Sequence, residues 1–144
     1  MVIFLKEKIR KNTLEKMSEL SKNLTHKKNK ENSILSAFFS TELWLNSNTV
    51  GVTLSTEVEF DTTKIIERGL QENKLICIPK VLPNRKMVFH YYNFSEELER
   101  SKFGLLEPVN NKKINKRNID LIIVPGVAFH KSGYRVGFGG GISC

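Results

Sequence analysis

Acidic residues are in short supply in this chain. Fifteen Asp and Glu stand against 23 Lys and Arg in 144 residues, a formal net charge of +8. That surplus favours anionic partners such as nucleic acid, membrane surface, nucleotides or polyanionic metabolites. Lys and Asn are abundant all along the chain, so charge alone singles out none of these. Cysteine is scarcer still, with Cys77 and Cys144 only. Two thiols build no disulfide framework, and no His/Cys spacing resembles a zinc site. A reducing, cytoplasmic setting is expected. Long apolar runs are also missing, which excludes a membrane-spanning helix. The opening MVIFLKEKIRKN places a short apolar patch before its charges, the reverse of a signal peptide. His26, His90 and His130 are scattered without partners at useful spacing, and none is assigned a catalytic role.

What is present is an ordinary globular balance, 40% hydrophobic and 26% charged. The length predicts one domain over 1–144. From Ile3 to Leu24, apolar residues recur at an imperfect helical spacing with Lys and Glu between them. THKKNKEN (25–32) breaks the pattern and reads as a solvated turn, ahead of a second helix carrying Ile34, Leu35, Phe38, Phe39 and Leu43. TVGVTLS (49–55) is a strand by its β-branched content. DTTKIIERGLQEN is a helix with Ile65, Ile66 and Leu70 on one face and Asp61 as its cap. KLICIP (74–79) and KMVFHYY (86–92) are strands, SEELERS a short helix, and IDLIIVPG (119–126) the most strand-like segment of all. The last lacks a polar face, as expected at the centre of a parallel sheet covered on both sides. Strands alternating with helices predict an α/β fold with a mainly parallel sheet, whose ligands bind beyond the carboxyl ends of the strands.

The clearest chemical signal follows that strand. GYRVGFGGG runs from Gly133 to Gly141, with five glycines in nine residues. Glycines allow several backbone N–H groups to point inward and cradle an anion. Arg135 adds a fixed charge and a planar fork suited to phosphate. A flexible tail is the plain alternative, and the density of glycine argues against it. The loop is neither a Walker loop, because the Gly-Lys-Ser/Thr ending is missing, nor a dinucleotide fingerprint. Lys6 and Arg10, four apart, share a face of the first helix. Taken alone they are an ordinary solvated face. Glu59 lies between a strand and a helix, free to accept from a ligand N–H. Glu107 reads as a loop carboxylate ahead of a proline.

In order and spacing, KEKIR, EFDTTKII, LICIPKV followed by MVF, FGLLEP, and IDLIIVPGVAFHKSGYRVGFGGG resemble the 5-formyltetrahydrofolate cyclo-ligase (methenyltetrahydrofolate synthetase) family across nearly the whole chain. The resemblance implies a three-layer α/β/α fold. It implies ATP- and Mg2+-dependent conversion of 5-formyltetrahydrofolate to 5,10-methenyltetrahydrofolate, with ADP and phosphate released. In that mechanism the formyl oxygen takes the γ-phosphoryl group, the folate's second amine attacks the activated carbon, and phosphate leaves. Carried over by position, Lys6 and Arg10 match the ATP-binding pair. Gly133, Tyr134, Arg135, Val136, Gly137, Phe138, Gly139, Gly140 and Gly141 match the ATP phosphate loop, with Arg135 the catalytic cation. Leu54, Glu59, Met87 and Phe89 match the folate contacts. Phosphoryl transfer needs placement and charge neutralisation more than a covalent catalyst.

Two departures stand out. The family's usual Asp is His130 here. Where the family continues after the glycine loop with Tyr-Tyr-Asp, a helix and further strands, this chain has ISC. The aspartate expected to hold magnesium is absent, so no metal ligand is assigned. The expectation is a domain lacking its C-terminal strands and helix, a monomer with an exposed sheet edge open to dimerisation or aggregation. As an enzyme it is expected to be weak or inactive, the alternative being a non-catalytic nucleotide- or folate-binding remnant. A nucleic-acid module using KNLTHKKNK ranks far behind, because the aromatic-and-basic strand pattern of an RNA-binding domain is missing. A sugar-phosphate binder of related fold is disfavoured by the basic pair and Glu59.

Overall fold

Two β-branched strands set the centre of the molecule. Thr49–Val52 (β1) and Leu75–Leu82 (β2) run parallel, with Val50 opposite Ile76 and Gly51 opposite Cys77. The computed structural model describes residues 2–138. Lys86–Tyr91 (β3) returns antiparallel to β2 through a tight turn in which Asn84 and Arg85 both take positive φ, 64° and 59°. Lys113–Ile114 (β6) lies antiparallel to β3, and Leu121–Ile123 (β7) parallel to β1. The sheet order is β6-β3-β2-β1-β7, and every strand but β3 points the same way. This is the expected α/β architecture, with mostly parallel strands flanked by helices.

The helical side is built from Val2–Ser21 (α1), Leu24–Phe39 (α2), Glu42–Leu45 (α3) and Thr63–Gln71 (α4). Leu35 of α2, Trp44 of α3 and Ile65 and Ile66 of α4 pack with Val50, Val52, Ile76 and Ile78 in one buried cluster. On the opposite face, Gly51 lets the Phe89 ring approach closely. A Cβ there would sit 3.0 Å from Phe89 Cε1. Cys77 is buried on this face, and burial pushes its thiol up to about 12, which makes it an inert core residue. Among the described residues no helix is long and apolar enough to cross a membrane.

Five local expectations are corrected. The run 25–32 is helical and belongs to α2; the break lies at Lys22–Asn23, where Asn23 Oδ1 accepts the His26 N–H at 3.1 Å. The polar run hides an inward pair, Lys27 and Glu31, both buried. Ile34 and Leu43 are exposed rather than packed with Leu35. SEELERS is not a helix. Asn93 Oδ1 accepts the Ser95 N–H at 2.8 Å in a turn, and Leu98–Arg100 (β4) then pairs antiparallel with Leu106–Pro108 (β5). Glu107 in β5 is buried, and its Oε2 accepts the Val81 N–H at 2.7 Å, so it is a structural clamp on β2. Finally, β7 lies at the edge of the sheet formed by the described residues. Among the described residues it pairs with β1 alone, its three residues are half-buried, and Val124 beyond it is exposed.

Asp120 anchors the start of β7. Its Oδ2 accepts the N–H groups of Asn48 at 2.9 Å and Thr49 at 3.0 Å. These bonds, Thr49 first, hold its carboxyl below the ordinary value. A depressed folded pKa contributes stability above the unfolded value and loses it as pH falls through the folded one. Asp120→Asn is therefore expected to lower the urea midpoint at pH 7. The gap between variant and parent should narrow as pH falls below about 4. Equal midpoint differences at pH 7 and pH 3 would show that the carboxylate charge contributes nothing.

Candidate functional site

The carboxyl ends of β1 and β7 meet the glycine-rich segment. After β7 the chain turns through Pro125 and Gly126 into a hairpin, Ala128–Phe129 (β8) with Arg135–Val136 (β9). Val127 N donates to Val136 O at 2.7 Å, closing the hairpin at its base. Its tip is a turn in which His130 Nδ1 contacts Ser132 Oγ at 2.7 Å and accepts the Ser132 N–H at 3.1 Å. Gly133 there has φ +98°, where a side chain would be strained. His130 thus does the turn-forming work that an aspartate does elsewhere.

The hairpin fixes Arg135. Its side chain lies against Gly126, and its NH1 donates to Pro125 O at 2.7 Å. Arg135 is exposed yet tethered, with further N–H groups in its fork. From the other end of the sequence α1 packs against this hairpin. Arg10 Nε donates to Gly137 O at 2.8 Å, a bond between residues 127 positions apart. Lys6 lies one turn earlier on α1 and is exposed. The structure therefore brings together Arg10, Arg135 and the loop backbone at Gly137, with Lys6 on the same helix face. Tyr134 and Phe138 are exposed and Val136 half-buried. Gly139, Gly140 and Gly141 lie outside the described residues.

Two cavities flank the end of β7 and share Thr53, Ile123, Val124 and Pro125 in their walls. The smaller, about 60 Å3, is walled by Pro79, Met87, Phe89 and Arg135. Phe89 is almost fully buried and forms its floor, while Met87 is half-buried. The larger, about 280 Å3, is a cleft between α2, α4 and the loop after β1. Phe38, Phe60, Ile65 and Phe129 give it apolar walls, and Glu59 supplies its carboxylate. Glu59 and the Met87/Phe89 pair thus lie on opposite sides of the β1–β7 edge. Leu54 lines neither cavity and packs instead against the core cluster.

Glu59 is not free, as the sequence predicts, but already engaged. Its Oε1 accepts from Thr56 N at 3.0 Å and Thr56 Oγ1 at 2.7 Å. Asp61 is not the helix cap itself. Thr62 holds that position and makes no side-chain cap bond. Asp61 Oδ1 instead accepts the Thr63 N–H at 2.9 Å. Burial pushes the Asp61 carboxyl up, but the Thr63 bonds and the Lys27 and Lys64 charges outweigh it, leaving it below its ordinary value. Sequence reasoning missed Lys27 and Glu31 beneath this loop. Their i,i+4 spacing was visible, and their burial was not. It also missed the cleft walls Phe38, Phe60 and Phe129. Among the described residues, no group of three or more His, Cys, Asp or Glu side chains could hold a metal ion.

The fold and site define an α/β protein with a basic, glycine-lined turn and an apolar cleft at the carboxyl edge of its sheet. The chain belongs to the 5-formyltetrahydrofolate cyclo-ligase family, which it matches over residues 3–143. It is 32% identical over 103 residues to the 5-formyltetrahydrofolate cyclo-ligase of Escherichia coli, covering 66% of this chain and 54% of that one. It is 30% identical over 100 residues to that of Haemophilus influenzae, covering 64% and 51%. The chain thus spans about half the length of these curated relatives. The solved 5,10-methenyltetrahydrofolate synthetase of Aquifex aeolicus superposes with a TM-score of 0.80 at 28% identity, over 95% of this chain and 69% of that one.

Proposed function

We propose that the chain performs ATP- and magnesium-dependent conversion of 5-formyltetrahydrofolate to 5,10-methenyltetrahydrofolate, releasing ADP and phosphate. The observation that carries the reading is the Arg10–Gly137 bond. It joins the two stretches that the family resemblance links to ATP, which are far apart in sequence. In this reading the nucleotide phosphates lie along the described part of the glycine loop, Gly133–Phe138, between Lys6, Arg10 and Arg135. The folate occupies the edge of the sheet, with Glu59 accepting from its ring N–H groups and Met87 and Phe89 supporting it; Leu54, packed against the core cluster, acts only from behind the site. Tethering to Pro125 O pre-orients Arg135, so little reorganisation accompanies charge development on the transferring phosphoryl group. The formyl oxygen bonds to that phosphorus as ADP leaves. The second amine then bonds to the formyl carbon, giving up its proton, and phosphate departs. Magnesium, when bound, neutralises phosphate charge. The described residues offer it no cluster, and such ions commonly keep phosphate and water ligands. A cytoplasmic monomer is part of the same proposal.

The test is growth of the methenyl-folate absorbance band with purified protein, 5-formyltetrahydrofolate, ATP and magnesium. A version extended with the C-terminal part of the Aquifex relative is run beside it. Turnover by the given chain upholds the proposal; turnover by the extended version alone keeps the family chemistry at this site but makes the given chain inactive by itself. Binding of ATP or folate with no turnover by either makes the chain a non-catalytic binder instead.

A further inference from the structure

We infer that Lys27 and Glu31 of α2 are positioning residues for the cleft: the buried pair holds the 57–61 loop and, through it, the Glu59 carboxylate. The inference rests on the folate reading proposed above. Both side chains are about one-tenth exposed, with Lys27 Nζ 3.7 Å from Glu31 Oε2. Neither is spent on its partner alone. Lys27 Nζ donates to Glu57 O at 2.9 Å and Glu59 O at 2.6 Å. Glu31 Oε2 accepts the Asp61 N–H at 2.5 Å. One pair thus grips the backbone of three alternate residues, 57, 59 and 61. Outside that grip, Thr56 holds one oxygen of the Glu59 carboxylate, and Glu59 forms part of the cleft wall.

The chemistry distinguishes positioning from stability. Burying two charges carries a large desolvation cost, and apolar residues of similar volume often hold a fold as well or better. Apolar residues cannot hold two carbonyls and an N–H in fixed directions. What the ions contribute is geometry, and the loop they fix carries the only carboxylate among the described residues lining the cleft. A carboxylate that must meet ring N–H groups needs fixed support, since small misplacements are costly.

The test is the double variant Lys27→Met/Glu31→Leu. Its thermal midpoint is expected to stay close to that of the parent. Amide exchange over 57–61 is expected to accelerate by roughly tenfold or more, and affinity for 5-formyltetrahydrofolate to fall by roughly tenfold. ATP affinity should hold, because Arg10 and Arg135 are untouched. Glu31→Gln keeps an acceptor for the Asp61 N–H, so folate affinity and exchange at 57–61 are expected to stay within about threefold of the parent, while the thermal midpoint falls because the buried Lys27 charge loses its partner. Should the double variant not fold, Lys27→Gln is measured the same way, with the same signs expected. Unchanged exchange at 57–61, or parallel loss of folate affinity, ATP affinity and midpoint, overturns the inference. If the parent binds no folate, the proposed function fails, and the exchange measurement alone decides whether the pair holds the loop.

Discussion

Replacing Arg135 with alanine is expected to lower turnover of 5-formyltetrahydrofolate by roughly 10²–10³-fold, the scale seen when a preorganised charge stabiliser is removed. Stability should move by no more than about 0.5 kcal/mol, because Arg135 is exposed and the one described bond of its guanidinium is to an exposed carbonyl. Arg135 is placed by a two-stranded hairpin, braced at Gly126, tied to Pro125 O, and set in the wall that also holds Met87 and Phe89. A cation so held at the joint of the two proposed substrate sites meets charge that develops during phosphoryl transfer. Arg135→Lys keeps the charge but loses the fork, and should recover only part of the rate. Where turnover is too slow to follow, nucleotide affinity is measured instead, with a loss of roughly tenfold or more expected for alanine. An alanine variant within twofold of the parent in both measurements would remove Arg135 from the site.

Much of the fold was legible because its central strands announce themselves. TVGV and LICIP are short β-branched or apolar runs bounded by polar residues, and α4 carries Ile65 and Ile66 at helical spacing. The errors fall where polar residues do structural work. Lys27 and Glu31 look like a solvated turn because burial of an ion pair leaves no hydrophobic trace. Glu96 looks like part of a helix, yet its carboxylate meets Lys112 at 2.8 Å across the β4–β5 region. IDLIIVPG looks central by composition, but position within a sheet depends on neighbours that a strand's own residues do not encode. The same holds for the site. The glycine loop was visible as a motif, whereas its contact with Arg10 depends on how α1 docks. Glu59 was visible as a carboxylate at the right edge, but its engagement by Thr56 and its separation from Met87 and Phe89 were not.

Trp44 carries the largest stability prediction. It is fully buried in a four-residue helix, with its ring 5.0 Å from Phe39 edge-on and 5.4 Å from Phe38. Lys74 caps the arrangement, its Nζ 4.8 Å from the ring centroid and bonded to the carbonyls of Trp44 and Ser47. Trp44→Ala is expected to cost about 3–5 kcal/mol, against a whole folding stability of roughly 5–15 kcal/mol. The thermal midpoint should drop by about 10–15 °C or more. Trp44→Phe is expected to cost much less. It keeps a ring among Phe38, Phe39 and Ile76, and it removes Nε1, a buried donor without a partner among the described residues, whose desolvation currently goes uncompensated. A phenylalanine variant as damaged as the alanine one would show that ring volume is not what this site requires. The loss should also reach the cleft. Phe38 leans on Trp44 from one side and forms cleft wall on the other. In the alanine variant that wall loses its backing, so folate affinity should fall at temperatures where the protein remains folded, while nucleotide binding at the Arg10–Arg135 end is spared.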